Sequence, residues 1–357
     1  MVERPGPKME AGVRRRGALF TVVGLLAALA APSVAHAAVS SGFAYVWANQ
    51  PGTASYDPPT PYSFNSTGAV NHIDRVGVGQ YDVQFPNLGT SGGVSHATAY
   101  GVTTNTCQVG YRYWSGDTLW MRVYCFKEST LSDTLFTATF SNRPTTPNTA
   151  YLFANEPTSA AYTPNPTYQY NSGGGLSTVQ RLGVGHYRID VPTVPSLGDV
   201  QVSAYGATAA RCSVGSFAAP GYPDFGRVIF VYCVNAANAP TDAYFMMTSA
   251  ETGFLGRVPA AYARVDPPAP LSRTTPYSPT TSYNSTGAAI TITRIGVGRS
   301  RVAMPGQPLT GGTVNVTGYS FGTERCNAVS WSTSGVTVQC WQGYTAYDSP
   351  FTVAFQS

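Results

Sequence analysis

The stretch RVGVGQYDVQFP, residues 75–86, is written three times with small changes: RLGVGHYRIDVP at 181–192 and RIGVGRSRVAMP at 294–305. In the first copy Tyr81, Val83 and Phe85 alternate with Gln80, Asp82 and Gln84. That period of two marks a strand with one buried face. Tyr187, Ile189 and Val191 take the same inward phase in the second copy. The third keeps Val302 and Met304 but has Ser300 where the tyrosine stood, which predicts a thinner core there. Gly77 and Gly79 flank a valine, the pattern of a turn or bulge whose backbone angles side chains resist. A phosphate-binding loop is the rival reading, but neither Gly-Lys-Ser/Thr nor a helical period follows.

Outward from this centre the likeness continues. Each copy opens on an aromatic strand: AYVWANQP at 44–51, AYLFANEP at 150–157 and AYARVDPP at 261–268. Each then carries an Asn-Ser pair (Asn65-Ser66, Asn171-Ser172, Asn284-Ser285), whose asparagines suit turns because their side chains satisfy backbone groups. After the central segment come AYG (99–101), AYG (204–206) or GYS (318–320), then two cysteines, then Asp-x-x-Phe. The period is roughly 100 residues, a domain rather than a solenoid turn. Short alternating runs, no helical period and abundant Gly and Pro predict an all-β chain: three tandem antiparallel β-sandwich domains, Ig-like or jelly-roll-like. Their expected limits are 43–140, 150–250 and 261–357, with 141–149 and 251–259 as linkers.

Residues 1–37 read as a signal peptide: Arg14, Arg15 and Arg16, a modest apolar run, then Ala35-His36-Ala37 as a small-x-small cleavage site. The run is shorter than a bilayer span of roughly 20 residues, so no membrane insertion is expected after cleavage. That segment holds five basic and two acidic residues, so the rest of the chain is close to neutral. No nucleic-acid partner follows from such a balance. The expected location is extracellular.

The six cysteines fall two per copy: Cys107 and Cys125, Cys212 and Cys233, Cys326 and Cys340. A domain that folds alone pairs within itself, and the matched flanks around drifting loops read as a hairpin, so one intradomain disulfide per copy is expected. No Cys-x-x-Cys or histidine pair supports a metal, and no cofactor motif is present.

Catalysis should either break the symmetry or recur in each copy. His72, His96 and His186 align with Thr178 and Thr291, with Gln201 and Asn315, and with Gln80 and Arg299, all on the outward phase of their strands. Solvated surface histidines are the expectation. His72 and Asp74 share a face, but no nucleophile motif accompanies them. Arg75, Arg181 and Arg294, with Asp133, Asp242 and Asp348, recur in all three copies and predict a partly buried Arg–Asp bridge per domain with an orienting role.

The run AYVWANQP … FNSTG … RVGVGQYDVQFP … AYG … C … C resembles a group of uncharacterised secreted tandem-repeat β-proteins of actinobacteria and other GC-rich bacteria. The likeness implies a compartment and carries no activity. Two functional readings follow. The first is a secreted, non-enzymatic, multivalent binding or surface-interaction protein for a polysaccharide or protein ligand. Trp47, Trp114, Trp120, Trp331 and Trp341, with many tyrosines, could supply its aromatic face, although for each taken singly a place in the core is the stronger expectation. The second is a secreted hydrolase or hydrolase-associated protein with a loop site in repeat 1, around His72 and His96.

Overall fold

The computed structural model describes residues 41–194, 198–218, 226–255, 257–267 and 274–357. The signal segment expected at 1–37 lies outside them. Repeat 1 comprises β1 (Gly42–Ala48), β2 (Ser55–Tyr56), β3 (Ser63–Asn65), β4 (His72–Gly77), β5 (Gln80–Phe85), β6 (Val94–Ala99), β7 (Thr106–Ser115), β8 (Thr118–Lys127), β9 (Thr130–Leu131) and β10 (Phe136–Asn142). These make two antiparallel layers, β3-β1-β10-β6 and β2-β4-β5-β8-β7, with β9 beside β8.

Repeat 2 follows the same plan with β11 (Thr149–Ala154), β12 (Ala161–Tyr162), β13 (Gln169–Asn171), β14 (Thr178–Gly183), β15 (His186–Pro192), β16 (Asp199–Tyr205), β17 (Ala210–Ala218), β18 (Gly226–Asn235) and β19 (Tyr244–Ala250). Repeat 3 has β20 (Ala260–Val265), β21 (Thr281–Asn284), β22 (Thr291–Gly296), β23 (Arg299–Ala303), β24 (Thr313–Gly318), β25 (Arg325–Ser332), β26 (Gly335–Gln342), β27 (Thr345–Ala346) and β28 (Phe351–Gln356). The chain is all-β, as its alternation predicts. The described residues contain no α-helix, and none is long and apolar enough to cross a membrane as one.

Alternation builds each interior. Tyr81, Val83 and Phe85 are fully buried, and so are Ile73, Met121, Val123, Phe136 and Phe140 from both layers of repeat 1. Repeats 2 and 3 have their own separate cores around Tyr187 and Ile189, and around Ile292 and Val302. The disulfides Cys107–Cys125, Cys212–Cys233 and Cys326–Cys340 join residues directly opposite on the β7/β8, β17/β18 and β25/β26 pairs. Closing loops of 18, 21 and 14 residues, each contributes about 3 kcal/mol in the chain-entropy view.

The Asn-Ser pair stitches the ends of each sandwich. Asn65 Nδ2 donates to Pro86 O at the end of the repeated segment, and Ser66 Oγ accepts from Phe43 N. Asn171 and Ser172 do the same to Pro192 and Thr149, and Asn284 and Ser285 to Pro305 and Ala260.

The three repeats close into a ring through one contact used in cyclic order. Tyr205 of repeat 2 forms a parallel bridge to Val109 of repeat 1, Tyr319 of repeat 3 to Val214 of repeat 2, and Tyr100 of repeat 1 to Ala328 of repeat 3. The residue after the first cysteine reinforces each seam: Gln108 donates to Gly206 O, Ser213 to Ser320 O and Asn327 to Thr103 O. The Ala-Tyr-Gly motif thus supplies the aromatic wedge between neighbours.

Two expectations change here. His96 is 1% exposed and sits between repeats, its ring nitrogens 3.1 Å from Ser203 Oγ and 2.7 Å from Thr248 Oγ1. Burial, with a smaller contribution from the Arg112 charge, lowers its pKa to about 3. The phase outward from its own sandwich points inward to the ring axis, so the residue is not solvated. Its aligned partners behave alike: Gln201 accepts from Thr317 Oγ1 at 2.8 Å, and Asn315 from Thr98 Oγ1 at 3.5 Å. Nor is 251–259 a loose tether. Phe254 and Leu255 are buried in a cluster with Phe43 and Tyr45 of repeat 1 and Tyr262 of repeat 3.

Candidate functional site

The repeated segment is a hairpin tip locked from below. Arg75 Nε and Nη2 donate to the two oxygens of Asp133 at 3.0 and 2.8 Å, and Asp133 Oδ1 also accepts from Gly79 N and Tyr81 Oη. Arg181 and Asp242 repeat this with Gly185 and Tyr187; Arg294 and Asp348 repeat it with Gly298, without a tyrosine because Ser300 stands there. The Arg75 guanidinium, then Gly79 N–H and the Tyr81 hydroxyl, holds the Asp133 carboxyl below its usual range. Gly79 has φ +63°, and a Cβ there would stand 2.5 Å from Ser132 N, so this position admits only glycine. At Gly77 the ladder register shifts by a bulge. The clamp saturates its carboxylate and orients a turn, leaving no group free for chemistry.

A second cluster occurs in repeat 1 alone. Strand β2 lies against β4, placing Ser55 and Asp57 beside His72. Ser55 Oγ is 2.7 Å from His72 Nε2, and Asp57 Oδ1 is 2.6 Å from Nδ1. This serine–histidine–carboxylate order was illegible in the sequence, since Ser55 and Asp57 matter only once β2 pairs with β4. The third contact changes its chemistry: Asp74 Oδ1 lies 3.2 Å from Nε2, the nitrogen that would have to take the serine proton. Asp57, then Asp74, raises the His72 pKa and favours the imidazolium. A histidine whose charged form is favoured by two carboxylates, one of them on the nitrogen that faces the serine, is poorly arranged to act as a general base. The triad lies on an open sheet edge, with the Asp57 side chain 61% exposed. His186 is unrelated: it is half-buried and stacked on Tyr232 at 4.1 Å.

The face outward from the β5-β8-β7 layer of repeat 1 carries a different constellation. Register places Tyr113, Trp120, Gln84 and His72 in one row, and Tyr111, Arg122, Asp82 and Asp74 in the next. Tyr113 and Trp120 are stacked, centroids 5.8 Å apart and planes within 10°; Tyr111 continues the run at 6.1 Å, its plane tilted 32° to that of Tyr113. Tyr111 and Tyr113 are 38% and 40% exposed, and Trp114 at the hairpin tip is 54% exposed. Arg122 is fixed by both oxygens of Asp82, at 2.6 and 2.9 Å, and stacks on Tyr111. Gln84 donates to Asp74 at 2.6 Å. The result is an exposed aromatic run on one sheet face, bordered by hydrogen-bonding side chains.

Repeats 2 and 3 lack it. Ser216, Ala218 and Val228 stand where Tyr111, Tyr113 and Trp120 stand, and in repeat 3 Ser330, Ser332 and Gly335 do. The other tryptophans are spent on structure. Trp47 and Trp331 meet edge-on at the seam between repeats 1 and 3, with Tyr62 and Tyr100 around them, and Trp341 is buried. Among the described residues no group of three His, Cys, Asp or Glu is placed to hold a metal ion. Compared with family models, curated proteins and solved structures, the chain matches none.

Proposed function

We propose that this is a secreted, non-enzymatic binding protein whose contact surface is the outer face of repeat 1, and that its ligand is a polysaccharide. The run of neighbouring rings Tyr111, Tyr113 and Trp120 on one sheet face carries the reading. Aromatic faces offer large apolar area at little entropic cost, and their polar tips tolerate water. A pyranose ring presents an apolar C–H face suited to such a strip, while its hydroxyls suit the bordering Gln84, Asp74 and His72. Paired strands and the Arg122–Asp82 pair against Tyr111 hold the aromatic run in place without ligand, which lowers the ordering cost of binding. The unequal faces favour one main contact site, with repeats 2 and 3 supporting it in the ring, over three equal sites acting by avidity. Three disulfides accord with an oxidising, extracellular setting.

The test is sedimentation of the intact mature chain with insoluble polysaccharides and cell-wall material. Tyr113→Ala and Trp120→Ala should each weaken binding about tenfold or more, the usual scale for an aromatic anchor, with little change in melting temperature for the exposed Tyr113. Equal binding by the variants would overturn the reading.

The Ser55–His72–Asp57 geometry favours one second reading, a hydrolase site in repeat 1. Ser55 labelling by a fluorophosphonate probe, abolished in His72→Ala, would establish it. Absence of labelling at every pH at which the protein stays folded would remove it.

A further inference from the structure

On the ring axis lies a cavity of about 80 Å³ to which each repeat contributes the same two segments, one from β6, β16 or β24 and one from β7, β17 or β25. The position before the first cysteine of each repeat reaches it, and there the copies differ: Thr106, Arg211 and Arg325. Arg325 is 7% exposed, and Arg211 is half-buried. Arg325 Nη2 donates to Gly343 O and its guanidinium lies 5.3 Å from the Tyr344 ring; Arg211 Nη2 donates to Asn238 Oδ1. The Nε of both is buried and without a hydrogen-bond partner. Neither forms an ion pair among the described residues, although eight arginine–aspartate or histidine–aspartate contacts do form there. The one acid on the cavity wall, Glu324, accepts from Ser320 Oγ and Gln342 Nε2 instead.

The charge of Glu128 reaches Arg325, but among the described residues no carboxylate pairs with either arginine and none acts on Arg211. Two like charges held near each other out of water are unfavourable, and an anion between them offsets this. Burial lowers the pKa of both arginines, and the Arg325 charge helps bring that of Arg211 down to about 10. A guanidinium does not give up its proton in proteins, so both remain cationic at neutral pH. The guanidinium fork matches two oxygens of a tetrahedral oxyanion. The cavity exceeds the share of liquid volume taken by one water, about 30 Å³, so a phosphate- or sulfate-sized group is of the right scale.

We propose that the axial cavity binds a small tetrahedral oxyanion, phosphate or sulfate, between Arg211 and Arg325, and that this anion locks repeats 2 and 3 together.

The test titrates inorganic phosphate and sulfate into the intact mature protein at constant ionic strength held with chloride, reading melting temperature and ³¹P line width. A saturable rise in melting temperature and broadening of the phosphate signal are expected. Arg325→Gln and Arg211→Gln should each weaken the apparent affinity at least tenfold. Should those variants fail to fold, Thr106→Arg serves instead: it completes the set of three, and should lower the melting temperature in chloride yet tighten phosphate binding. No saturable effect in the wild type, or the same rise in every variant as a general salt effect gives, would overturn the proposal.

Discussion

The interior of each sandwich and the axis between the sandwiches are built on opposite rules. Inside, the three repeats carry nearly the same apolar residues in the same phase: Tyr81, Val83 and Phe85 in one, Tyr187, Ile189 and Val191 in the next. At the axis each repeat carries a different polar residue in the same place, His96, Gln201 and Asn315, turned toward a hydroxyl of the next repeat. Apolar packing is non-directional, so one solution serves three times. Polar contacts are directional and costly to leave unmade, so each seam has its own donor–acceptor pairing. The first region makes three domains, and the second orders them.

The largest test of this contrast is to separate the repeats. If the axial face belongs to the fold, residues 150–250 alone will expose Phe153, Tyr205 and the β16 face. Such a fragment should fail to give a soluble, cooperatively melting monomer by size-exclusion and calorimetry. A well-behaved monomer would reduce the ring to a loose association of independent domains.

Next in size is the seam between repeats 3 and 1. Trp331→Ala removes a ring packed on Trp47, Tyr62 and Tyr100. A loss of about 3 kcal/mol is expected in denaturant unfolding. Tyr113→Ala, on the exposed face, should change stability by less than about 0.5 kcal/mol.

The polar axis can be tested by pH. His96 has its folded pKa depressed to about 3 from 6.5, so as pH falls below 6.5 the unfolded chain takes up a proton that the folded chain refuses. Stability is lost on acidification, by up to about 1.4 kcal/mol per pH unit. Asp199, buried beside Gln201, has its pKa raised from 3.8 to about 7, chiefly by desolvation. It keeps a proton that the unfolded chain sheds, so its contribution to stability is lost as pH rises from 3.8 to 7. Between these limits the two slopes oppose. His96→Gln should leave stability falling with pH over that window, and Asp199→Asn should leave it rising up to 6.5. Unchanged profiles in both variants would mean that the axis is wet.

The smallest effect concerns the clamp. Tyr81→Phe loses the hydroxyl that bonds Asp133 and Pro51, a cost of about 1 kcal/mol. Repeat 3 already does without it, so a far larger loss would make the clamp more than an orienting device.

Some of the candidate face was legible and some was not. Trp114 and Trp120 stood among the aromatics considered from sequence. Tyr111 and Tyr113 are legible only as two among many tyrosines, because the bulge at Gly110 shifts their phase against β8. Ser55 and Asp57 were missed because an edge strand of two residues leaves no periodic trace. Trp47 and Trp331 were legible as aromatic but not as seam residues, since nothing local distinguishes a ring facing solvent from one facing another repeat.

By itself the sequence determined what local periodicity and internal repetition can encode: strands with one apolar face, three copies of one sandwich, glycines where a turn needs them, and a cysteine pair per copy. Only the tertiary structure decided which outward faces meet water and which meet a neighbour. A strand's alternation records on which side its own core lies; it holds no information about what covers the other side. His96 and His72 occupy the same outward phase, and closure of the ring alone puts one at the axis and leaves the other at an open edge.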